Sequence, residues 1–279
     1  MHFLKSFNPF TKDKSEGIPS SFRVGKLDIN NLHPLGGMFK KGVTKAGRIS
    51  LCGNLSDGRK VKIYESFSSN QIKLRKKLGA QLENKDVLFP PILATDKNFI
   101  VEEWITGKTL STMKPHILEN YSERLINFLE KIHYDSDFSK IAYNHKNSFC
   151  YLSDYLIMRL KPWRKWIPVS NLLKAWIEAD LETEKTIKSR ISHPDLSISN
   201  IVLSPDEKIY IVDNELIGAG KGWLLDERNS FFRGKVAPKK FAKSTKNFYL
   251  LSWKLRLVGS AIDQGDFYRA ERMADLKRI

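Results

Sequence analysis

Two short apolar runs separated by polar turn residues, just after residue 200, predict a β-hairpin. Residues 201–204 (IVLS) and 208–213 (KIYIVD) are rich in β-branched and apolar side chains, as strands are. The segment between them begins Ser-Pro-Asp-Glu, and Pro205 presets the backbone for the second position of a turn. Polar residues stand at the open end of this hairpin, and they are the first candidates for chemistry.

The register of the hairpin decides which polar residues meet. If Leu203 faces Tyr210, Asn200 faces Asp213, with Cβ atoms about 5 Å apart. A carboxamide and a carboxylate at that separation can share Mg²⁺, which prefers oxygen ligands. Asp195 lies on the loop that enters the hairpin, where it can accept a proton from an attacking hydroxyl. We therefore predict Asn200 and Asp213 as metal ligands and Asp195 as the catalytic base.

An antiparallel sheet is predicted upstream, between about residues 30 and 65. Within it, residues 48–52 and 60–64 form a hairpin around the Ser-Asp-Gly turn at 56–58. Residues 89–93 are predicted to form a turn into a further strand. The N-terminal third of the chain is therefore expected to be mainly strands.

Apolar residues at helical spacing predict several helices. The first is capped by Ser68 or Ser69 and runs to Leu82. A second helix, from about 121 to 133, has a buried stripe made of Leu125, Phe128, Leu129 and Ile132. Further helices are predicted at 151–161, at 169–189 and through most of the last fifty residues.

The hairpin and its flanking residues resemble the catalytic and metal-binding loops of the protein-kinase-like superfamily. The kinase signature H-R-D-x-x-x-x-N, followed by a second Asp, is matched by HPDLSISN at 193–200 and by Asp213. Asn214 and Glu215 follow that Asp, a variant similar to the aminoglycoside phosphotransferase and choline kinase branch. The resemblance implies a bilobal α+β fold, with a small antiparallel-sheet N-lobe and a larger, mainly helical C-lobe.

Domain boundaries follow from the same resemblance. Residues 1–20 are expected to form a flexible arm, because they are polar and rich in Ser, Pro, Gly and Lys. Residues 21–105 would be the N-lobe, with the nucleotide-binding sheet and one helix. Residues 106–279 would be the C-lobe, with the catalytic loop, the metal loop and the acceptor site.

The resemblance also implies ATP and Mg²⁺ as cofactors. Lys62 resembles the strand lysine that contacts nucleotide phosphates, although solvent exposure is an alternative for it. The Glu103 carbonyl and the Ile105 N–H are expected to bind the adenine edge, with an ordinary strand-to-helix junction as the alternative. Either a phosphate cover or simple turns explain the glycines at 36, 37, 42 and 47.

Two features depart from the kinase pattern. The helix after Lys62 contains no glutamate to pair with that lysine, and Gln71 can donate a hydrogen bond but cannot neutralise charge. The glycines form no clean G-x-G-x-x-G. A pseudokinase scaffold without turnover and a kinase acting on proteins therefore remain alternatives to a small-molecule kinase.

Charge limits the choice of acceptor. The net charge is +16, and residues 231–279 hold 12 Lys and Arg against 4 Asp and Glu. A polycation would be repelled unless its pocket were locally acidic. We therefore expect a neutral or anionic small-molecule or glycan acceptor, such as a sugar, a lipid-linked glycan or a lipopolysaccharide core.

A tryptophan segment leaves three interpretations open. Trp163 and Trp166 lie among three cations in residues 161–165. They can stack on a sugar ring in an acceptor site, rest at the interface of an anionic membrane, or form a helix corner.

The expected location is the cytoplasm, with peripheral contact to the inner face of a membrane as a further option. No apolar run reaches the length of a membrane span, and the N-terminus has no signal-peptide core. Cys52 and Cys150 give neither a disulfide framework nor metal spacing.

Nucleic acid is disfavoured as a partner, because zinc spacing, RNP-like and helix-turn-helix signals are lacking. The oligomeric state is not indicated.

Overall fold

The computed structural model describes residues 19–35, 50–66, 68–81, 86–114, 160, 167–184, 190–193, 196–220 and 243–276, and scattered residues between 117 and 140. Several predictions lie outside these residues. They concern the first eighteen residues, the four glycines at 36–47, Leu129, the helix at 151–161 apart from residue 160, Trp163, Trp166 and Asp195.

An antiparallel sheet of six strands forms the N-terminal part of the fold. Its members are β1 (Ser21–Val24), β2 (Leu27–Pro34), β3 (Ser50–Leu55), β4 (Lys60–Glu65), β6 (Ile92–Asp96) and β7 (Phe99–Glu103). Their spatial order is β1-β2-β3-β4-β7-β6. The predicted hairpin is confirmed, since β3 pairs with β4 and Cys52 lies opposite Lys62.

Helix α1 (Ser69–Gln81) lies between this sheet and the rest of the molecule. Ser68 caps it, as predicted, because its hydroxyl accepts a hydrogen bond from the Gln71 N–H at 3.2 Å. Ile72 packs with Tyr64 and Ile100 of the sheet. Leu74 and Leu78 instead join the core beneath the second sheet, so α1 connects the two halves of the fold.

A second sheet of four short strands carries the hairpin. It consists of β5 (Val87–Leu88), β8 (Lys108–Thr109), β10 (Ile201–Leu203) and β11 (Ile209–Ile211), in the order β5-β11-β10-β8. A two-stranded sheet, β9 (Arg190–Ser192) with β12 (Gly218–Gly220), lies at the entry and exit of the hairpin segment.

The predicted hairpin forms, but its predicted register is wrong by one residue. Val202, not Leu203, pairs with Tyr210. Asn200 therefore lies opposite Val212 rather than Asp213, and its carbonyl accepts a hydrogen bond from the Val212 N–H at 2.9 Å.

The turn explains this shift. Ser204 N–H donates to the Lys208 carbonyl at 3.0 Å, and Glu207 N–H donates back to the Ser204 carbonyl at 3.0 Å. Glu207 has a φ of 59°, in the left-handed region. A type I turn followed by a left-handed residue makes a three-residue loop, one residue shorter than the predicted register requires.

Helices complete the C-terminal part. Leu125, Phe128 and Ile132 are helical and buried, as predicted, and pack in one core with β10 and β11. A separate core joins α2 (Val169–Glu184), α3 (Lys243–Asp263) and α4 (Phe267–Ala274). Within the described ranges, no helix has the length and apolar character needed to cross a membrane.

Candidate nucleotide and metal site

A cavity of about 480 Å³ lies where the six-stranded sheet meets the hairpin. Its walls include Lys62, Glu103, Ile105, Asp213 and Glu215. Ligand pockets typically enclose roughly 300–1,000 Å³. The first four of these residues were predicted from separate sequence patterns, and the fold brings them into one cavity.

Glu103, the last residue of β7, lines this cavity. Glu103 N–H donates to the Pro91 carbonyl at 2.9 Å, whereas Trp104 N–H donates to the Lys60 carbonyl on the opposite side at 3.1 Å. An antiparallel pair normally exchanges two hydrogen bonds. Pro91 has no N–H, so it cannot return the bond to the Glu103 carbonyl. The proline thus removes the ladder partner of the group expected to bind adenine.

Lys62 extends from β4 into the cavity and contacts Asp213. Its Nζ lies 2.7 Å from Asp213 Oδ1 and 2.9 Å from Glu215 Oε1. Only 13% of its side chain is exposed, which excludes the solvent-exposed alternative. Burial by itself lowers the pKa of Lys62, but the nearby charges of Asp213, Glu215 and Glu102 raise that pKa above 10.5. The side chain is therefore a fixed cation at neutral pH.

Asp213 stands at a backbone turn that few residues adopt. Its φ of 60° and ψ of 47° place it in the left-handed region, directly before a 3₁₀ turn at Asn214–Leu216. The Asn214 amide donates to the Ile211 carbonyl at 2.8 Å and fixes this turn to the end of β11. Such conformations are costly and tend to occur at functional sites.

Glu215 is the residue that the sequence pattern did not predict as part of the site. Its side chain is 4% exposed, and the Ser50 hydroxyl donates to the same Oε1 that contacts Lys62. An acid two positions after Asp213 is a visible signal, but nothing in the sequence marks Ser50. The Gln71 amide also approaches this segment, donating to the Glu215 and Ile217 carbonyls at 2.8 and 2.9 Å.

A buried ion pair lies at the cavity wall, to which Glu102 contributes. Arg75 of α1 contacts Glu102 Oε1 at 2.5 Å, and the Tyr64 hydroxyl donates to the same oxygen at 2.7 Å. The Arg75 and Glu102 side chains are 0% and 1% exposed. Burial and the charge of Glu102 raise the pKa of Tyr64 well above 10. Helix α1 therefore presents a cation on its buried face, where a kinase helix would present a glutamate.

Asn200 lies beside the cavity. It ends a 3₁₀ turn at Ile198–Asn200, one residue before β10, and is half-buried. Neighbouring Ser199 lines the cavity. The Asn200 amide and the Asp213 carboxylate are both hard oxygen donors of the kind that Mg²⁺ binds together with phosphates.

Comparisons with known proteins identify the fold. No protein-family model and no curated protein sequence matches the chain. The apo structure of a thermostable mutant of aminoglycoside phosphotransferase APH(4)-Ia matches with a TM-score of 0.56 over 88% of this chain and 92% of that one. This chain has the aminoglycoside phosphotransferase fold. At 10% sequence identity, the likeness is one of fold.

Two further structures agree. The crystal structure of APH(4)-Ia matches with a TM-score of 0.55, and the mutant's ternary complex with ADP and hygromycin B with 0.54. Each is 10% identical and covers 88% of this chain and 91% of its own. The phosphotransferase fold confirms the predicted bilobal α+β architecture of the protein-kinase-like type.

Proposed function

We propose that this chain binds Mg-ATP in the cavity and transfers the γ-phosphoryl group to a hydroxyl of a small-molecule or glycan acceptor. The observation that carries the proposal is the contact between Lys62 Nζ and Asp213 Oδ1, 2.7 Å apart, in a cavity that also reaches Glu103 at the end of β7. Phosphoryl transfer from ATP requires a fixed cation for the phosphates, an anion for the metal and backbone groups that bind the adenine.

Each end of the nucleotide has a proposed partner. The Glu103 carbonyl, which Pro91 leaves without a ladder bond, accepts from the adenine amino group, and the Ile105 N–H donates to the ring. Lys62 binds the phosphates that are not transferred. Asn200 and Asp213 hold Mg²⁺, which when bound neutralises phosphate charge.

Asp195 is proposed to orient the acceptor hydroxyl and accept its proton. It lies outside the described residues, and its role rests on its place five residues before Asn200 in the sequence. Positioning and charge neutralisation would supply most of the acceleration.

The comparison supports a small-molecule acceptor. The phosphotransferase that shares this fold was crystallised with ADP and hygromycin B. The net charge of +16 argues that the acceptor of this chain is neutral or anionic instead of polycationic. A sugar, a lipid-linked glycan or a lipopolysaccharide core would fit.

Transfer of ³²P from [γ-³²P]ATP to a panel of such acceptors tests the proposal. Wild-type protein should label a neutral or anionic acceptor, and Asp195→Asn should abolish labelling while retaining Mg-ATP binding. Asp96→Asn, at an exposed position at the end of β6, is the matched control and should label normally. Binding of Mg-ATP without labelling of any acceptor would favour the pseudokinase scaffold. Labelling of kanamycin-like compounds alone would contradict the charge argument.

A further inference from the structure

Helix α1 gives Lys62 no anion. Its sequence, SNQIKLRKKLGAQ, contains no acid, and its most deeply buried polar residues are Gln71 and Arg75. The charge of Arg75 is already paired with Glu102. A kinase-like fold that relies on a strand lysine must therefore hold that lysine by some other group.

Glu215 is placed to hold Lys62. Its Oε1 contacts Lys62 Nζ at 2.9 Å, and Ser50 on β3 donates to the same oxygen. With 4% of its side chain exposed, Glu215 lies deeper than Asp213, whose side chain is 23% exposed. The proposed metal would draw on the Asp213 carboxylate, whereas Glu215 can remain with the lysine throughout.

Helix α1 is nevertheless connected to Lys62 indirectly, through Glu215. The Gln71 amide donates to the carbonyls of Glu215 and Ile217, and the residue is 3% exposed. A displacement of α1 would therefore move the backbone that carries Glu215. The connection that a helix glutamate would make directly runs here from Gln71 to Glu215 to Lys62.

We propose that Glu215 is the positioning residue that holds Lys62 in the phosphate site, and that Gln71 couples helix α1 to it. The inference rests on the proposed function, because it assumes that Lys62 binds nucleotide phosphates. Glu215, two residues after Asp213, would thus position the lysine that a helix glutamate positions in kinases.

Nucleotide binding can separate positioning from simple stability. Glu215→Gln should weaken the affinity for Mg-AMP-PNP by about tenfold to a hundredfold, the range for losing a charged hydrogen-bond partner. Its affinity for adenosine, which has no phosphates, should stay within about twofold of wild type. A distorted pocket would lower both affinities, so the selective loss is the signature of a misplaced phosphate-binding lysine.

Three further variants complete the test, all measured by calorimetric titration. Glu215→Asp keeps the charge and should retain part of the Mg-AMP-PNP affinity. Gln71→Met changes a residue that does not itself line the cavity, yet it should weaken Mg-AMP-PNP binding by about threefold to tenfold without affecting adenosine. Glu182→Gln, at an exposed position on α2, is the control and should bind both ligands as wild type does.

The outcomes distinguish the two claims. Wild-type protein that binds Mg-AMP-PNP, together with a Glu215→Gln variant that binds it equally well, would overturn this inference alone. Equal losses of Mg-AMP-PNP and adenosine affinity in Glu215→Gln and Gln71→Met would overturn it as well. Failure of wild-type protein to bind Mg-AMP-PNP would overturn the proposed function and the inference together.

Discussion

The buried pair between Arg75 and Glu102 makes a quantitative prediction. Arg75→Met removes the guanidinium but keeps an unbranched apolar side chain of similar reach. Glu102, 1% exposed, would then retain the Tyr64 hydroxyl as its donor but lose the cation that contacts it directly. The Arg75 contact with the Phe89 ring, at 4.9 Å, would also be lost.

The expected cost is large because water cannot reach either charge. Breaking a buried pair by removing one partner typically costs about 3–5 kcal/mol. For a chain of this size, that corresponds to a fall in the melting temperature on the order of 10 °C. Urea unfolding followed by tryptophan fluorescence would measure the loss directly.

Two comparisons make the measurement decisive. Arg23→Met breaks an exposed pair with Asp28, whose side chains are 70% and 55% exposed, and should leave the unfolding midpoint nearly unchanged. The double variant Arg75→Met with Glu102→Met removes both buried charges and should regain most of the loss. If Arg75→Met were no less stable than Arg23→Met, the buried contact between Arg75 of α1 and Glu102 of β7 would not contribute to stability.

Three other perturbations follow from single contacts. Pro91→Ala supplies an N–H that can bond the Glu103 carbonyl, so adenosine affinity should fall about threefold or more in calorimetric titration. Gly107→Ala would place a Cβ 2.2 Å from the Leu203 carbonyl oxygen, so thermal unfolding should show a clear destabilisation. Because the pKa of Tyr64 is raised by burial, the folded chain keeps a proton that the unfolded chain loses near pH 10. Wild-type stability should therefore fall more steeply above pH 10 than that of Tyr64→Phe.

Each of these has its own control. Pro91→Ala should keep the wild-type unfolding midpoint, and unchanged adenosine affinity would show that the Glu103 carbonyl does not bind the base. Gly79→Ala has no heavy atom within 4 Å of the added Cβ and should not destabilise the chain, in contrast to Gly107→Ala. Parallel stability curves for wild type and Tyr64→Phe above pH 10 would contradict the argument for the tyrosine.

Local patterns in the sequence predicted much of the fold. The turn signal at 56–58 predicted strands at 48–52 and 60–64, which the structure has at Ser50–Leu55 and Lys60–Glu65, and the predicted Ser68 cap marks the start of α1. The hairpin at 201–211 was predicted as well. Its register was not, because the loop length depends on Glu207 adopting a left-handed backbone, and residue alternation does not encode that choice.

Contacts between residues far apart in the sequence limited how much of the candidate site could be predicted. Lys62, Glu103, Ile105 and Asp213 each stand at a recognisable place in the sequence, and one cavity gathers them. The contact of Glu215 with Lys62 could not be predicted, because it joins distant segments of the chain. Asp195 stays a prediction, since it lies outside the described residues.

The magnesium dependence of nucleotide binding tests the central claim most directly. Calorimetric titration with AMP-PNP, with and without Mg²⁺, should be made on wild type, Asp213→Asn and the Asp96→Asn control. We predict that Mg²⁺ strengthens AMP-PNP binding to wild type and to Asp96→Asn by about tenfold or more, and that Asp213→Asn loses this gain. Nucleotide binding that ignores Mg²⁺ in wild type, or a full gain from Mg²⁺ in Asp213→Asn, would contradict a phosphoryl-transfer site at this cavity.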